Sequence, residues 1–214
     1  MKSSELSHII SAIVILAIVS SFSFAIKQQW VELPKILIFS TLIISLSILA
    51  KKFTAYSLDS DIEHEIWEMH HFPNLLPPYK RLKKPFKAGA IIPIILSIIS
   101  LGFIKFTPIL TYETKALKYR AAKRHGFYSF TEMTDFHNAL IGASGIFITL
   151  LLAVISYFFQ PISYLSKIAI YYSFWNLLPV SKLDGAQIFF GNRILWTILA
   201  TITTLAVILS IVII

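Results

Sequence analysis

The run ALIGASGIFITLLLAVISYFF, from Ala139 to Phe159, decides the fold class. It carries no charged side chain, and its length matches the ~20 residues with which a helix crosses a bilayer core. Five comparable runs flank it: Ile9–Ile26, Pro34–Ala50, Ala88–Phe106, Ile162–Leu178 and Ile194–Ile214. Pro34 sits where a helix start tolerates proline. Pro93 and Gly102 interrupt the third run, and Asn176 and Pro179 predict a break near the end of the fifth. The expected fold is all-α: a polytopic integral membrane protein of about six spans in one membrane domain, residues 1–214. Its location is the cell membrane.

Composition points the same way. Apolar residues make up 56% of the chain and charged residues 14%, with a mean hydropathy of +0.73. Ordinary soluble domains carry roughly 25% charged residues. The first run is longer than the ~7–15 apolar residues of a secretory signal, so it is expected to stay as a helix. No cysteine is present, which excludes disulfides and thiolate metal sites. The net charge is +8, but the cations lie between apolar runs and are mixed with acids and prolines. They fit lipid headgroups, and nucleic acid is not expected as a partner.

Two polar, basic loops separate the runs. Residues 51–87 open with Lys51-Lys52, hold the acidic stretch Asp59 to Glu65, and close on Lys80-Arg81-Leu82-Lys83-Lys84. Residues 105–135 carry Lys115, Lys118, Arg120, Lys123 and Arg124, with a turn signal at His125-Gly126. Lysine and arginine normally collect on the cytoplasmic side. With six plain spans the tally is eight cations against ten, Lys167 left aside, and the rule does not orient the chain.

The stretch most informative about chemistry is Asn176-Leu177-Leu178-Pro179-Val180-Ser181-Lys182-Leu183-Asp184-Gly185. A carboxylate at the end of an apolar span is costly and marks a functional candidate. Asn176 and Pro179 unwind the helix end, and Gly185 lets the chain turn. Two readings of Asp184 stand side by side. It is a carboxylate of the kind zinc accepts beside two histidines, or it pairs with Lys182 or caps a helix at the membrane surface.

The Asn-x-x-Pro-x-x-x-Leu-Asp-Gly pattern resembles the second signature of the site-2 protease family of intramembrane zinc metalloproteases. In that family the aspartate is the third zinc ligand. The small-residue segment Ala139 to Ile146 resembles a motif that members carry upstream, and residues 112–136 resemble a basic segment of archaeal members. The likeness covers most of the chain after about residue 33. It implies His-Glu-x-x-His on an earlier helix, with two zinc-binding histidines and a glutamate as general base. At the matching place this chain reads Ser47-Ile48-Leu49-Ala50-Lys51. Ser47 and Lys51 replace the histidines and Ile48 the glutamate. Serine is a poor zinc ligand, an ammonium repels a dication, and isoleucine takes no proton. One carboxylate alone does not hold catalytic zinc.

Substitute ligands are on offer in the segment from Glu63 to His71. On a helix, His64 and Glu68 would share a face, with His70 or His71 beside them. The plainer reading is a solvated amphipathic segment at the membrane surface, anchored by Trp67 and Phe72. His8, His125 and His137 read as interfacial, and Trp30 and Tyr112 as parts of an aromatic belt. A Ser47–Lys51 nucleophile pair is a further, weaker reading.

Three functions are expected on these grounds. The first is a site-2 protease-like pseudoenzyme without zinc, which binds transmembrane or membrane-proximal peptides and acts as a regulator, chaperone or adaptor. The second is an active intramembrane metalloprotease, with zinc held by Asp184 and unorthodox ligands such as His64, His70 or His71. The third is a transporter or structural membrane protein with a coincidental motif.

Overall fold

A computed structural model describes residues 3–69, 86–117 and 133–213. Its described elements are α1 (Ser3–Ile26), α2 (Leu33–Ser57), β1 (Ser60–Ile66), α3 (Ala88–Ile99), β2 (Leu110–Ala116), α4 (Asp135–Tyr157), α5 (Ser163–Asn176), α6 (Asp184–Gly191) and α7 (Arg193–Ile213). Short 3₁₀ turns at Trp30–Glu32 and Gln160–Ile162 lead into α2 and α5. His70, His71, Phe72, the cluster from Lys80 to Lys84, and His125-Gly126 lie outside the described residues.

The six expected spans become four long helices and two short ones. Ser4–Ile26, Trp30–Ser57, Asp135–Tyr157 and Arg193–Val212 are long and apolar enough to cross a membrane. The expected third and fifth spans are helical for only 12 and 14 residues, in α3 and α5. Leu16, Val19, Ile43, Ile44, Ile168 and Ala169 form the heart of the core between α1, α2 and α5. Large apolar side chains such as Ile202, Leu205 and Leu209 on α7 point outward, an arrangement that lipid stabilises and water does not.

The second helix is longer than the Pro34–Ala50 run. It continues through Lys51 and Lys52 to Ser57 because both lysines find carboxylates: Lys51 meets Asp184, and Lys52 Nζ lies 2.7 Å from Glu5 Oε1. The connection beyond Ser57 is not all-α. β1 and β2 pair antiparallel, with His64 opposite Tyr112 and Ser60 opposite Ala116. The residues from Ser60 to Ile66 alternate between inward and outward positions, with Ile62, His64 and Ile66 inside. That period of two is a strand's. His64 and Glu68 therefore do not share a helical face.

The third segment does not cross the bundle. The Trp67 amide donates to the Ile109 carbonyl at 2.8 Å, and the Gly89 amide to the Trp67 carbonyl at 2.9 Å. A Cβ on Gly89 would overlap the Ile109 carbonyl. The start of α3 and the start of β2 thus lie side by side at the sheet end. Between them α3 descends about 18 Å at 1.5 Å per residue, and Gly102 backs onto Ser23 near the far end of α1. After bends at Phe103 and Ile104, residues 105–109 return to the sheet end without helix or strand, a stretch that can span up to about 17 Å at 3.3 Å per residue. The returning backbone is covered by α5: the Thr107 hydroxyl donates to the Tyr171 carbonyl at 3.3 Å. Irregular backbone at membrane depth persists where protein shields it.

Candidate functional site

Ser47 and Lys51 lie one turn apart on the inner face of α2, each 2% exposed. The fourth helix crosses them at Gly145. A Cβ there would run into the Lys51 side chain and come within 3.1 Å of Ser47 Oγ. A Cβ on Gly142, one turn earlier, would come within 2.8 Å of Tyr112 Oη. The small-residue segment of α4 is thus the wall against which Lys51 and Tyr112 are packed.

Asp184 arrives from the other side. The fifth helix ends at Asn176, whose amide nitrogen donates to the Tyr172 carbonyl at 2.8 Å. The chain turns through exposed Pro179, with Ser181 in the left-handed region at φ 54°. It re-enters as α6, whose first residue is Asp184. Gly185 is pressed onto the Leu177 carbonyl so closely that any side chain would overlap backbone. Asp184 is thereby driven into the bundle, 1% exposed, at a helix N-terminus whose dipole favours a carboxylate.

The two arms meet. Lys51 Nζ lies 2.5 Å from Asp184 Oδ2, with both side chains buried. The ammonium also sits 5.0 Å from the centre of the Tyr112 ring, a cation–π contact strengthened by burial. Lys182 is not the partner of Asp184; it donates to Glu113 Oε1 at 2.7 Å on the surface. Lys51 and Asp184 thus form the centre of a buried polar chamber, with Ser47 one turn from Lys51 and Asn176 buried at the end of α5; Gly185 is packed on Leu177, Ile48 lies in the apolar core, and Pro179 stays outside in the turn.

Tyr112, expected in an aromatic belt, belongs instead to the site. It is 1% exposed, and its hydroxyl donates to the Asn138 carbonyl at 2.7 Å. Burial, and then the Asp184 charge, push its phenol well above the ordinary range, so it stays neutral. Trp30, by contrast, is 62% exposed and suits an interface. His64 lies across the sheet from Tyr112, with ring centres 6.5 Å apart. Its Nδ1 faces Glu5 Oε1 at 3.4 Å. Burial, then Lys51 and Lys52, hold its imidazole well below the ordinary range and keep it neutral.

Comparison of the chain with protein-family models, with curated proteins and with solved structures found no match.

The chemistry of the chamber is set by its side chains. Among the described residues, the donor set at Asp184 does not fit a zinc ion. One carboxylate is offered, an ammonium stands against it, and Ser47 and Ile48 supply neither imidazole nor base. Among the described residues, no group of three or more His, Asp and Glu side chains converges to hold a metal. Lys51 is also unsuited to activate Ser47, because an ammonium held by a carboxylate has no lone pair to take a proton. Asp184 Oδ1, Asn176 Oδ1 and His64 Nε2 are buried without a hydrogen-bond partner among the described residues, so the chamber keeps a polar lining.

Beside the chamber lies a groove of about 410 Å³, lined by Tyr112, Thr114, Asn138, Lys182, Gln187 and Phe190 among others. The outer edge of β2 faces it. Trp67 to Ile109 and Leu117 to Asp59 are hydrogen-bonded pairs. Alternation along the ladder turns the backbone groups of Tyr112 and Thr114 away from β1. The Tyr112 carbonyl there accepts from Gln187 Nε2 at 3.1 Å.

Proposed function

We propose that this chain is a site-2 protease-like pseudoenzyme, which has exchanged zinc-dependent hydrolysis for the binding of transmembrane or membrane-proximal peptides. One observation carries the reading. Lys51, which aligns with one of the family's metal-binding histidines, makes a buried ion pair with Asp184, the carboxylate that aligns with its third ligand, and Ser47, which aligns with the other histidine, is buried one turn away on the same helix. The lysine supplies in place the positive charge that a metal would bring. Among the described residues no strand pairs with the outer edge of β2, and this supports the binding half of the proposal: an extended peptide satisfies such an edge by adding a strand, and the groove beside it takes side chains. Such binding suits a regulator, chaperone or adaptor at the membrane.

Metal analysis of the purified protein, beside Asp184→Ala, tests the reading. Less than a tenth of an equivalent of zinc in both, and no hydrolysis of a transmembrane peptide substrate, is the expected result. Stoichiometric zinc that survives dialysis and is lost in Asp184→Ala would overturn it and favour an active metalloprotease with unorthodox ligands.

A further inference from the structure

The end of the bundle opposite the sheet is poor in charge, and its charges are unevenly matched. Among the described Asp and Glu side chains, only Glu32 belongs to this end. Glu32 is taken by Lys35, at 3.0 Å. Three further cations remain there, Lys27, Lys105 and Lys167, and no carboxylate is paired with any of them among the described residues.

These three are gathered by the fold. Lys105 lies on the returning arm of the re-entrant segment and is 9% exposed. Its ammonium donates to Tyr164 Oη at 2.6 Å, and that hydroxyl donates to the Ser20 carbonyl at 2.9 Å. Tyr164 and Lys167 are three residues apart on α5, hence on one face. Ser20 and Ser23 lie near the end of α1 and Lys27 just past it, and Ser23 abuts Gly102, three residues before Lys105. The ammonium groups of Lys167 and Lys27 both repel that of Lys105. An ammonium has three donors, and Tyr164 accepts one. A nearly buried cation among like charges is costly unless an anion joins it. Ionisable side chains at such depth are functional candidates by default.

We propose that Lys27, Lys105 and Lys167 form a binding site for a phosphate oxyanion, as carried by the headgroup of an anionic phospholipid. Lys105 and Tyr164 make its floor. Lys27, one residue past α1, and Lys167, in the second turn of α5, close over it near the helix ends, where long basic side chains reach the headgroup level. The exposed Trp30 stands at the same end as an interfacial anchor.

Calorimetry on the full chain in a nonionic, phosphate-free detergent tests this, with short-chain phosphatidylglycerol and sodium phosphate as separate titrants. Saturable binding at one site is expected. Affinity should fall at least tenfold in Lys105→Met and in the double variant Lys27→Gln/Lys167→Gln. Lys35→Gln, whose partner is Glu32, should bind as the wild type does. The double variant changes less buried side chains, so it stays informative if Lys105→Met fails to fold. Binding of sodium phosphate with the same dependence would assign the site to the free ion as well, and binding of the lipid alone would assign it to the phospholipid headgroup. The absence of saturable binding by either titrant, or equal affinity in the wild type and the double variant, would overturn the proposal.

Discussion

Lys51 and Asp184 hold each other in a place where neither is stable alone. Removing one member of a buried pair leaves an uncompensated charge, at a cost of roughly 3–5 kcal/mol, whereas replacing both by apolar groups is often neutral. Lys51→Met and Asp184→Leu should each lower stability by about that amount, and the double variant should recover most of it; denaturant titration in detergent reads the cycle. His64 gives a pH test. It faces Glu5, Lys51, Lys52 and Tyr112, and it stays neutral in the fold. As pH falls below the ordinary imidazole value of 6.5, the unfolded chain takes up a proton that the folded chain refuses. Stability should therefore decline from about pH 6.5 downward, by up to ~1.4 kcal/mol per pH unit. His64→Gln should lack that slope between pH 6.5 and 5, and an equal slope in both proteins would show that His64 is not its source. At this scale the sequence was informative about Asp184, because an acid beside an apolar run stands out. It was uninformative about Tyr112, since an aromatic near a span end looks the same whether it faces lipid or a buried lysine.

Among elements, β1 was open to reading and the re-entrant segment was not. The stretch from Asp61 to Ile66 alternates charged or polar with inward residues, a strand's period, although its spacing of His and Glu drew attention to a helical face. Residues 88–106 have the length and apolarity of a span, and nothing local distinguishes going through from going in and back. The difference lies in a long-range contact, Gly89 against Ile109. Gly→Ala inside a helix normally gains roughly 0.5–1 kcal/mol. At Gly89 and Gly185 the new methyl would meet backbone carbonyls of Ile109 and Leu177, which cannot step aside. At Gly145 it would meet the flexible side chain of Lys51. Gly89→Ala and Gly185→Ala should destabilise strongly, by more than Gly145→Ala, as read by thermal melts in detergent. Stabilisation by either would contradict the packing described.

For the whole molecule, the re-entrant segment changes the charge tally. Both arms of α3 and its return start from the sheet end, so the connections 70–85 and 118–132 join elements on one side. Among the described residues, six lysines and arginines, Lys51, Lys52, Lys87, Lys115, Lys182 and Arg193, belong to the sheet end and four, Lys27, Lys35, Lys105 and Lys167, to the other, and the sequence carries eight more in the two connections whose flanking residues lie at the sheet end. Six plain crossings hid this bias by dividing the two loops between opposite sides. Positive charge is retained on the cytoplasmic side, so the sheet and the Lys51–Asp184 chamber should face the cytoplasm. The natural absence of cysteine makes the check clean: an impermeant maleimide on intact cells should label Val31→Cys and spare Glu65→Cys, and the reverse pattern would invert the orientation. The chamber itself is tested most directly by rebuilding the family's metal arm. In Ser47→His/Ile48→Glu/Lys51→His, zinc bound per folded chain should rise from near zero in the wild type to about one equivalent, and adding Asp184→Ala should abolish it. Zinc bound equally by the wild type, or none bound by a folded rebuilt chain, would contradict the claim that Lys51 stands in a former metal site.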